Sequence, residues 1–352
     1  MDVRTASRSS DDSSTKERSA DSDANSNDAS TSWTDTRNSD SGRRRWMEWT
    51  MRSDSNAPLV RPMTRRGRLF RRLIHHAAGF AGLRHATDRG WPRFEGGTDH
   101  ADPPIVLVHG FGVDGTTMLQ LGRRLVKRNR VIVPDLPGFG LHPRHEPASI
   151  DFAHLLESID DLISTLGLSA PVLVGSSMGG AIAAGYAASR PDAVAGLVVI
   201  GPAGIEPPID TEVFAAAKRD EHLLRIESTE DFERVYDLNF TKAPWMPRWM
   251  KGVVAREAAH RADDHEIVLR NLESVMLGSA ERFRTVTCPT EIVWGGDDRI
   301  IHRSAATLWD ATIPQANLTI VEQAGHSTMV ERPDEIASIV ENLLARVRSH
   351  DR

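Results

Sequence analysis

Cysteine is almost missing: Cys288 is the only one in 352 residues. A lone cysteine excludes an intramolecular disulfide and any multi-cysteine metal site. It stands in Thr287-Cys288-Pro289 ahead of an apolar run, where a packed core thiol is expected. Long apolar stretches are missing as well, and nothing approaches the roughly 18 residues of a membrane span. A positive excess is missing too. The formal net charge is −6, so the chain has no overall electrostatic footprint for nucleic acid, and no nucleic-acid partner is expected. Residues 1–57 are rich in Ser, Asp, Thr, Asn and Arg and nearly devoid of aliphatic side chains. Such a segment cannot bury enough apolar surface to offset its ordering entropy and is expected to be disordered. No internal repeats are found.

Residues 55–87 lack any Asp or Glu and carry seven arginines: Arg61, Arg65, Arg66, Arg68, Arg71, Arg72 and Arg84. Leu69, Phe70, Leu73, Ile74, Ala77, Phe80 and Ala81 recur between them at helical spacing. A basic amphipathic segment is therefore expected over 58–87. It either lies on an anionic membrane surface through residues 61–83 or packs its apolar stripe on the domain. Thr64-Arg65-Arg66 resembles a twin-arginine export signal, but the apolar stretch after it is short, carries His75 and His76, and lacks a small-residue cleavage site. The expectation is a cytoplasmic protein, with peripheral membrane association as the added option.

From about residue 88 strands alternate with helices. Ile105–Val108, Val131–Val133, 171–174 and 195–200 read as buried strands. Helices are expected over 117–128, 151–166 and 178–189, and Gly167 stops the second. This pattern indicates a mostly parallel sheet with helices on both faces. Residues 205–284 break it, being helical, charged and tryptophan-bearing. Alternation returns with strand 291–294, a helix near 303–311, strand 318–321 and a last helix from 333. The expected domains are thus an α/β core formed by 88–204 and 285–352, with a helical cap over 205–284. Open α/β sheets place their sites at the carboxyl ends of the strands, where such a cap would lie.

The most informative run is Gly175-Ser176-Ser177-Met178-Gly179, directly after Pro171-Val172-Leu173-Val174 and before Gly180-Ala181-Ile182-Ala183-Ala184-Gly185. A strand running through Gly-x-Ser-x-Gly into a small-residue helix is the nucleophile-elbow pattern. Ser177 has glycine two residues before and two after. Ser176 would need glycine at 174 and 178, which are Val174 and Met178. Ser177 is therefore the candidate nucleophile, against the plain alternative of a serine capping a helix.

Gly110-Phe111-Gly112-Val113-Asp114-Gly115 follows the strand at 105–108, and Asp135 stands 20 residues after Gly115. On spacing alone this is a dinucleotide-binding fingerprint. His109 before the first glycine has no use in holding pyrophosphate. Asp135 lies in the turn-rich Pro134-Asp135-Leu136-Pro137-Gly138-Phe139-Gly140, poorly suited to gripping a ribose. The dinucleotide reading also leaves Ser177 unused. The competing reading makes His109–Gly112 a loop whose backbone N–H groups meet a developing oxyanion.

A serine nucleophile needs a base, and the base an orienting carboxylate; on an elbow fold they follow in the order Ser, acid, His. Of fourteen histidines, His302, His326 and His350 fit the order. His350 is in the tail, and His302 is too near any acid on its own loop. His326, in Ala324-Gly325-His326-Ser327 after strand 318–321, is the candidate base. Trp294-Gly295-Gly296-Asp297-Asp298 follows the preceding strand, so both Asp297 and Asp298 stay open on spacing alone.

With these residues assembled, the chain resembles the α/β-hydrolase superfamily over roughly residues 90–350. The superfamily's Trp-Gly-x-x-Asp pattern selects Asp298, and its Gly-His-x-x-x-x-Glu-x-Pro pattern is met by Gly325, His326, Glu331 and Pro333. His109–Gly112, Pro134–Gly140, Gly175–Gly180 and Gly201-Pro202-Ala203-Gly204 most resemble the monoacylglycerol-lipase and bacterial esterase/lipase branch. His142 departs from it, because such enzymes usually carry serine after the Pro-Gly-x-Gly turn.

The resemblance implies an α/β-hydrolase fold with a helical cap, and a serine hydrolase of lipid-like carboxylic esters. Its catalytic residues would be Ser177, Asp298 and His326, its oxyanion donors the backbone N–H groups of Phe111 and Met178. Phe214, Leu223, Leu224, Trp245, Met246 and Trp249 are candidates for the substrate pocket. The expected partner is a small-molecule ester; no metal or organic cofactor is needed. Oligomeric state is not legible. Carbon–carbon bond hydrolases and cofactor-free haloperoxidase-type enzymes share the same three residues and remain alternatives. Epoxide hydrolases and haloalkane dehalogenases use aspartate at the elbow, which Ser177 argues against. A non-catalytic hydrolase-fold binding protein would not need an intact set.

Overall fold

The computed structural model describes residues 60–98, 103–142, 145–276 and 280–350. The segment expected to be disordered, 1–57, lies outside them. Eight strands form one sheet: β1 (Leu83–Ala86), β2 (Arg93–Gly96), β3 (Ile105–Val108), β4 (Val131–Pro134), β5 (Val172–Ser176), β6 (Gly196–Ile200), β7 (Thr290–Gly295) and β8 (Asn317–Val321). Their spatial order is β1-β2-β4-β3-β5-β6-β7-β8. β1, β2 and β4 pair antiparallel; every other pair is parallel. This is the mostly parallel α/β-hydrolase sheet that the sequence led us to expect. The sheet nevertheless begins at Leu83, within the segment read as basic and amphipathic. Leu83-Arg84-His85-Ala86 is too short and too polar to announce itself as a strand; its pairing with β2 makes it one.

The central strands are continuous Val/Ile/Leu runs because both of their faces are covered. Successive side chains go to opposite layers. Val106, Val108, Leu173, Leu197 and Val199 join one core with Ile159, Tyr186, Trp294 and Trp309. Ile105, Leu107, Val172, Val174 and Val198 join the other with Leu121, Val340 and Leu343. The covering helices are α1 (Arg65–Phe80), α2 (Leu119–Leu125), α3 (Phe152–Leu166), α4 (Met178–Ser189), α9 (Ser304–Thr312), α10 (Thr328–Glu331) and α11 (Pro333–His350). Helix α3 starts where Asp151 accepts the His154 N–H at 2.8 Å and stops at Gly167, whose φ of 60° closes the last turn. Four helices fill the connection between β6 and β7: α5 (Glu212–Ala217), α6 (Thr229–Asn239), α7 (Arg248–His260) and α8 (Ala262–Met276).

Helix α1 bears out the packing alternative for part of the basic segment. It packs against β1 through Ala78 and buries Arg71, which pairs with Asp114 and Asp135 and lies over the Phe94 ring. Arg61 and Arg84 also find acidic partners, in Asp263 and Glu95. Arg65, Arg66 and Arg72 have no acidic partner among the described residues, and Leu69 and Leu73 stand exposed beside them.

Strand order also decides where a site can form. The chain leaves β3 for β4 on one side and leaves β5 for β6 on the other. The two connections diverge and open a crevice beyond the carboxyl ends of β3 and β5, which are paired at Val108 and Gly175.

Candidate active site

Ser177 sits at that crevice, on the turn between β5 and α4. Its φ of 55° and ψ of −120° are strained for a side chain with a Cβ. The surroundings hold it there. Its N–H donates to the Ile200 carbonyl at 2.9 Å, and its carbonyl accepts from Gly180, Ala181 and Ala203. Glycine is demanded on both sides by close approach. A Cβ at Gly175 would lie 2.2 Å from the Gly179 carbonyl oxygen, and one at Gly179 would lie 2.4 Å from the carbonyl oxygens of Val108 and His109. Ser176 points the other way, buried, with its hydroxyl toward the Met329 sulfur.

His326 and Asp298 come from the loops after β8 and β7. His326 Nδ1 donates to Asp298 Oδ2 at 2.7 Å, and both side chains are buried. The other carboxylate oxygen accepts the N–H groups of Ile300 and Ile301 at 2.8 and 2.9 Å. Asp297 is exposed and accepts from the Thr241 hydroxyl, so it serves the surface. His302, the rejected alternative base, accepts the Ser304 N–H and belongs to the start of α9.

The turn at Gly201 joins the two halves. A Cβ there would lie 3.2 Å from Asp298 Oδ2 and 3.3 Å from His326 Nδ1. The same turn accepts the Ser177 N–H through Ile200 and donates to the Ser177 carbonyl through Ala203. Ser177 and the buried His326–Asp298 pair thus flank one turn. Among the described residues no hydrogen bond joins Ser177 to His326.

The loop at His109–Gly112 lies against the elbow, with a Cβ at Gly110 falling 3.4 Å from the Ser177 Cβ. Neither the Phe111 nor the Met178 N–H finds an acceptor among the described residues. His109 is fully buried and braces the loop. Its Nδ1 donates to the Gly110 carbonyl at 2.8 Å, and its Nε2 accepts the Leu136 N–H at 3.0 Å. Burial lowers its pKa and keeps the ring neutral.

Asp135, the residue that completed the dinucleotide spacing, is wholly committed to structure. Its carboxylate holds the Arg71 guanidinium at 2.8 Å and accepts the N–H groups of Gly115 and Leu141. Burial opposes the charge on Arg71, but Asp114 and Asp135 outweigh it, and the guanidinium pKa is raised. A ribose would find no free oxygen there.

Of two supporting residues, Glu331 was marked in the sequence only as part of the Gly-His-x-x-x-x-Glu-x-Pro pattern, and His265 carried no signal. Glu331 accepts the Gly325 N–H at 2.6 Å and the Thr241 and Lys242 N–H groups, so it ties the His326 loop to the segment after α6. His265 on α8 packs on Phe111 and Phe139, with ring centroids 5.9 and 5.2 Å apart. It hydrogen-bonds the Gly138 backbone, and its Nε2 has no partner. Burial first, then Arg261 nearby, pushes its pKa down to about 4. One histidine among fourteen, on a mixed helix, carries no mark of that environment.

A small, partly open cleft separates the Phe111 loop from the inter-strand helices, lined by Phe111, Gly112, Leu224, Arg225, Ala262 and His265. Of the pocket residues expected from sequence, Leu224 lines this cleft. Phe214 is buried in the core, and Leu223 and Met246 are half-buried outside the cleft. Trp245 and Trp249 are corrections. They are 87% and 59% exposed, and Trp249 meets the Phe70 ring of α1. The sequence counted them as lining because tryptophan is apolar, but periodicity does not say which neighbour covers a face.

Residues 105–339 match the alpha/beta hydrolase family. The chain belongs to this family. It is 33% identical over 244 residues to Lipase 1 of Psychrobacter immobilis, covering 67% of this chain and 75% of that protein. It is 25% identical over 269 residues to monoacylglycerol lipase ABHD6 of Mus musculus, covering 73% and 80% of the two chains. Its fold resembles that of a membrane phospholipase A crystal structure with a TM-score of 0.75 and 29% identity, covering 80% and 92%. The hydrolase falls in the lipase and esterase branch of the family and is a carboxylic ester hydrolase.

Proposed function

We propose that this hydrolase cleaves lipid-like acyl esters, monoacylglycerols included, through an acyl-enzyme on Ser177, with His326 as base and Asp298 as its orienting carboxylate. One observation carries the reading: the buried 2.7 Å His326–Asp298 pair shares the Gly201 turn with the strained Ser177 elbow. A carboxylate only accepts hydrogen bonds, so the proton lies on His326 Nδ1 and leaves Nε2 able to take the serine proton.

Ser177 Oγ attacks the ester carbonyl as its proton passes to His326 Nε2. The new C–O bond pushes the carbonyl electrons onto oxygen, where the Phe111 and Met178 N–H groups meet the charge. When the intermediate collapses, the C–O bond to the alcohol breaks and His326 returns the proton to the departing oxygen. Water then repeats the cycle on the acyl-enzyme and releases the acid. Each step balances with no redox partner. The cleft beside Phe111 and His265 is the proposed entry of the substrate, with helices α5–α8 as its lid.

The relatives named above as a lipase and a monoacylglycerol lipase support the substrate class. The test is a panel of esters graded by acyl length, monoacylglycerols included, run on wild type and Ser177→Ala. We expect longer acyl groups to be preferred, and kcat to fall by roughly three orders of magnitude or more in Ser177→Ala with the fold intact. Near-wild-type turnover in Ser177→Ala refutes the mechanism. A strict preference for the shortest acyl groups refutes the lipid substrate and keeps the esterase.

A further inference from the structure

We propose that the outer faces of α1 and α7 form one docking surface for an anionic lipid bilayer. Four large apolar side chains in this region face solvent: Leu69 at 62%, Leu73 at 57%, Trp245 at 87% and Trp249 at 59% exposure. Leu69 and Leu73 are one turn apart and share a stripe. Trp249 continues it across the helix boundary through its edge contact with Phe70, centroids 6.1 Å apart. Trp245 stands four residues before Trp249, in the segment that leads into α7.

The charge around this apolar surface has one sign. Arg65, Arg66 and Arg72 on α1, and Arg248 and Arg256 on α7, are exposed without an acidic partner among the described residues. Helix α1 contains no Asp or Glu, and Glu257 of α7 is turned inward onto Thr64. Exposed leucine and tryptophan ringed by unpaired arginine suits the boundary between lipid headgroups and acyl chains. It does not suit a second copy of the same face, because two such faces would bring their arginines together.

The two helices dock as a unit. Thr64 donates to Glu257 from both its N–H and its hydroxyl, and the Arg61 N–H donates to Asp264 of α8 at 2.6 Å. Lipid contact on α1 therefore also fixes the helices that border the Phe111 cleft. No helix among the described residues is long and apolar enough to cross a membrane.

The test is cosedimentation of the full chain with phosphatidylcholine vesicles, with and without phosphatidylglycerol. Hydrolysis of a soluble short-chain ester is measured in parallel as a folding control. Binding is read in wild type and in Ser177→Ala, so it stands or falls apart from the proposed chemistry. We expect binding that requires phosphatidylglycerol and weakens with salt. Arg65→Glu/Arg66→Glu and Leu69→Ser/Leu73→Ser should each weaken it at least about tenfold while short-ester turnover is kept. Three results overturn the proposal: no vesicle binding by wild type, equal binding to neutral and anionic vesicles, or wild-type binding by both double variants. Dimerisation that the leucine double variant abolishes, without vesicle binding, assigns the face to a second copy and overturns it too.

Discussion

Replacing Asp298 by Asn tests the geometry of the site more sharply than removing the serine does. The two side chains are nearly the same size, so packing is kept. What changes is which end of the side chain faces which neighbour. Asp298 Oδ1 accepts two backbone N–H groups, from Ile300 at 2.8 Å and Ile301 at 2.9 Å. In an asparagine those two donors hold the amide oxygen, because an NH2 group there would face two N–H groups. The NH2 then occupies the Oδ2 position, 2.7 Å from His326 Nδ1. It can only donate, so Nδ1 must accept and the ring proton moves to Nε2. Nε2 is then no longer a base for Ser177. Inverting this tautomer costs about 10³–10⁴ in kcat, or about 4–5.5 kcal/mol of transition-state stabilisation. The assay is steady-state hydrolysis of a soluble ester, with a thermal melt to show the fold kept within a degree or two. Loss below about tenfold would refute the proposed roles of Asp298 and His326. Asp298→Ala supplies the contrast, since it orphans the Ile300 and Ile301 N–H groups and should lower Tm as well as turnover.

Arg71→Met leaves the buried Asp135 and the half-buried Asp114 without their cation; removing one partner of a buried pair costs about 3–5 kcal/mol, and a Tm lowered by roughly 10 °C in a calorimetric scan is expected. Adding Asp135→Asn should recover part of that loss. Gly201→Ala places a Cβ 3.2 Å from Asp298 Oδ2 at a φ of +49°, and kcat should fall about 10–100-fold, with about 1–2 kcal/mol of stability lost. Acid should weaken the fold before the carboxylates titrate. His265 is held at about 4 in the folded state against 6.5 unfolded, so between those values only the unfolded chain takes up the proton. Stability therefore falls as pH drops from about 6.5 to about 4, by on the order of 3 kcal/mol from this group. Urea unfolding across that range should show the slope, and His265→Phe should reduce it, with His75 and His145, also lowered to about 4, supplying part of the rest.

Local chemistry was the legible part of this protein. The elbow could be read because every requirement on Ser177 is met within a few residues: a strand before, glycines two either side, a small-residue helix after. Gly175 and Gly179 are needed for backbone approach, and that need shows in the sequence as glycine itself. The same holds for the Asp151 cap and Gly167 stop of α3. The mostly parallel sheet was legible because strands covered on both faces must be continuous apolar runs.

What escaped were choices between partners far apart in the chain. Asp297 and Asp298 are equivalent on spacing, and only the family pattern chose Asp298; burial and the Ile300 and Ile301 N–H groups give the physical reason. Asp135 fits a ribose-binding pattern until Arg71, 64 residues earlier, takes its oxygens. The arginines of α1 look alike in sequence, yet one is buried on two carboxylates and three have no acidic partner among the described residues. Trp245 and Trp249 are apolar in any context, and only the tertiary structure leaves both facing outward, with Trp249 against Phe70 of α1. Sequence alone determined the fold class and the place of the elbow at Ser177, because both are written in short-range sterics and periodicity. Only the tertiary structure decided which arginine is buried and which apolar face is left open, and it supplied the physical reason that Asp298 rather than Asp297 faces His326. Those outcomes depend on what arrives from elsewhere in the chain to cover each group.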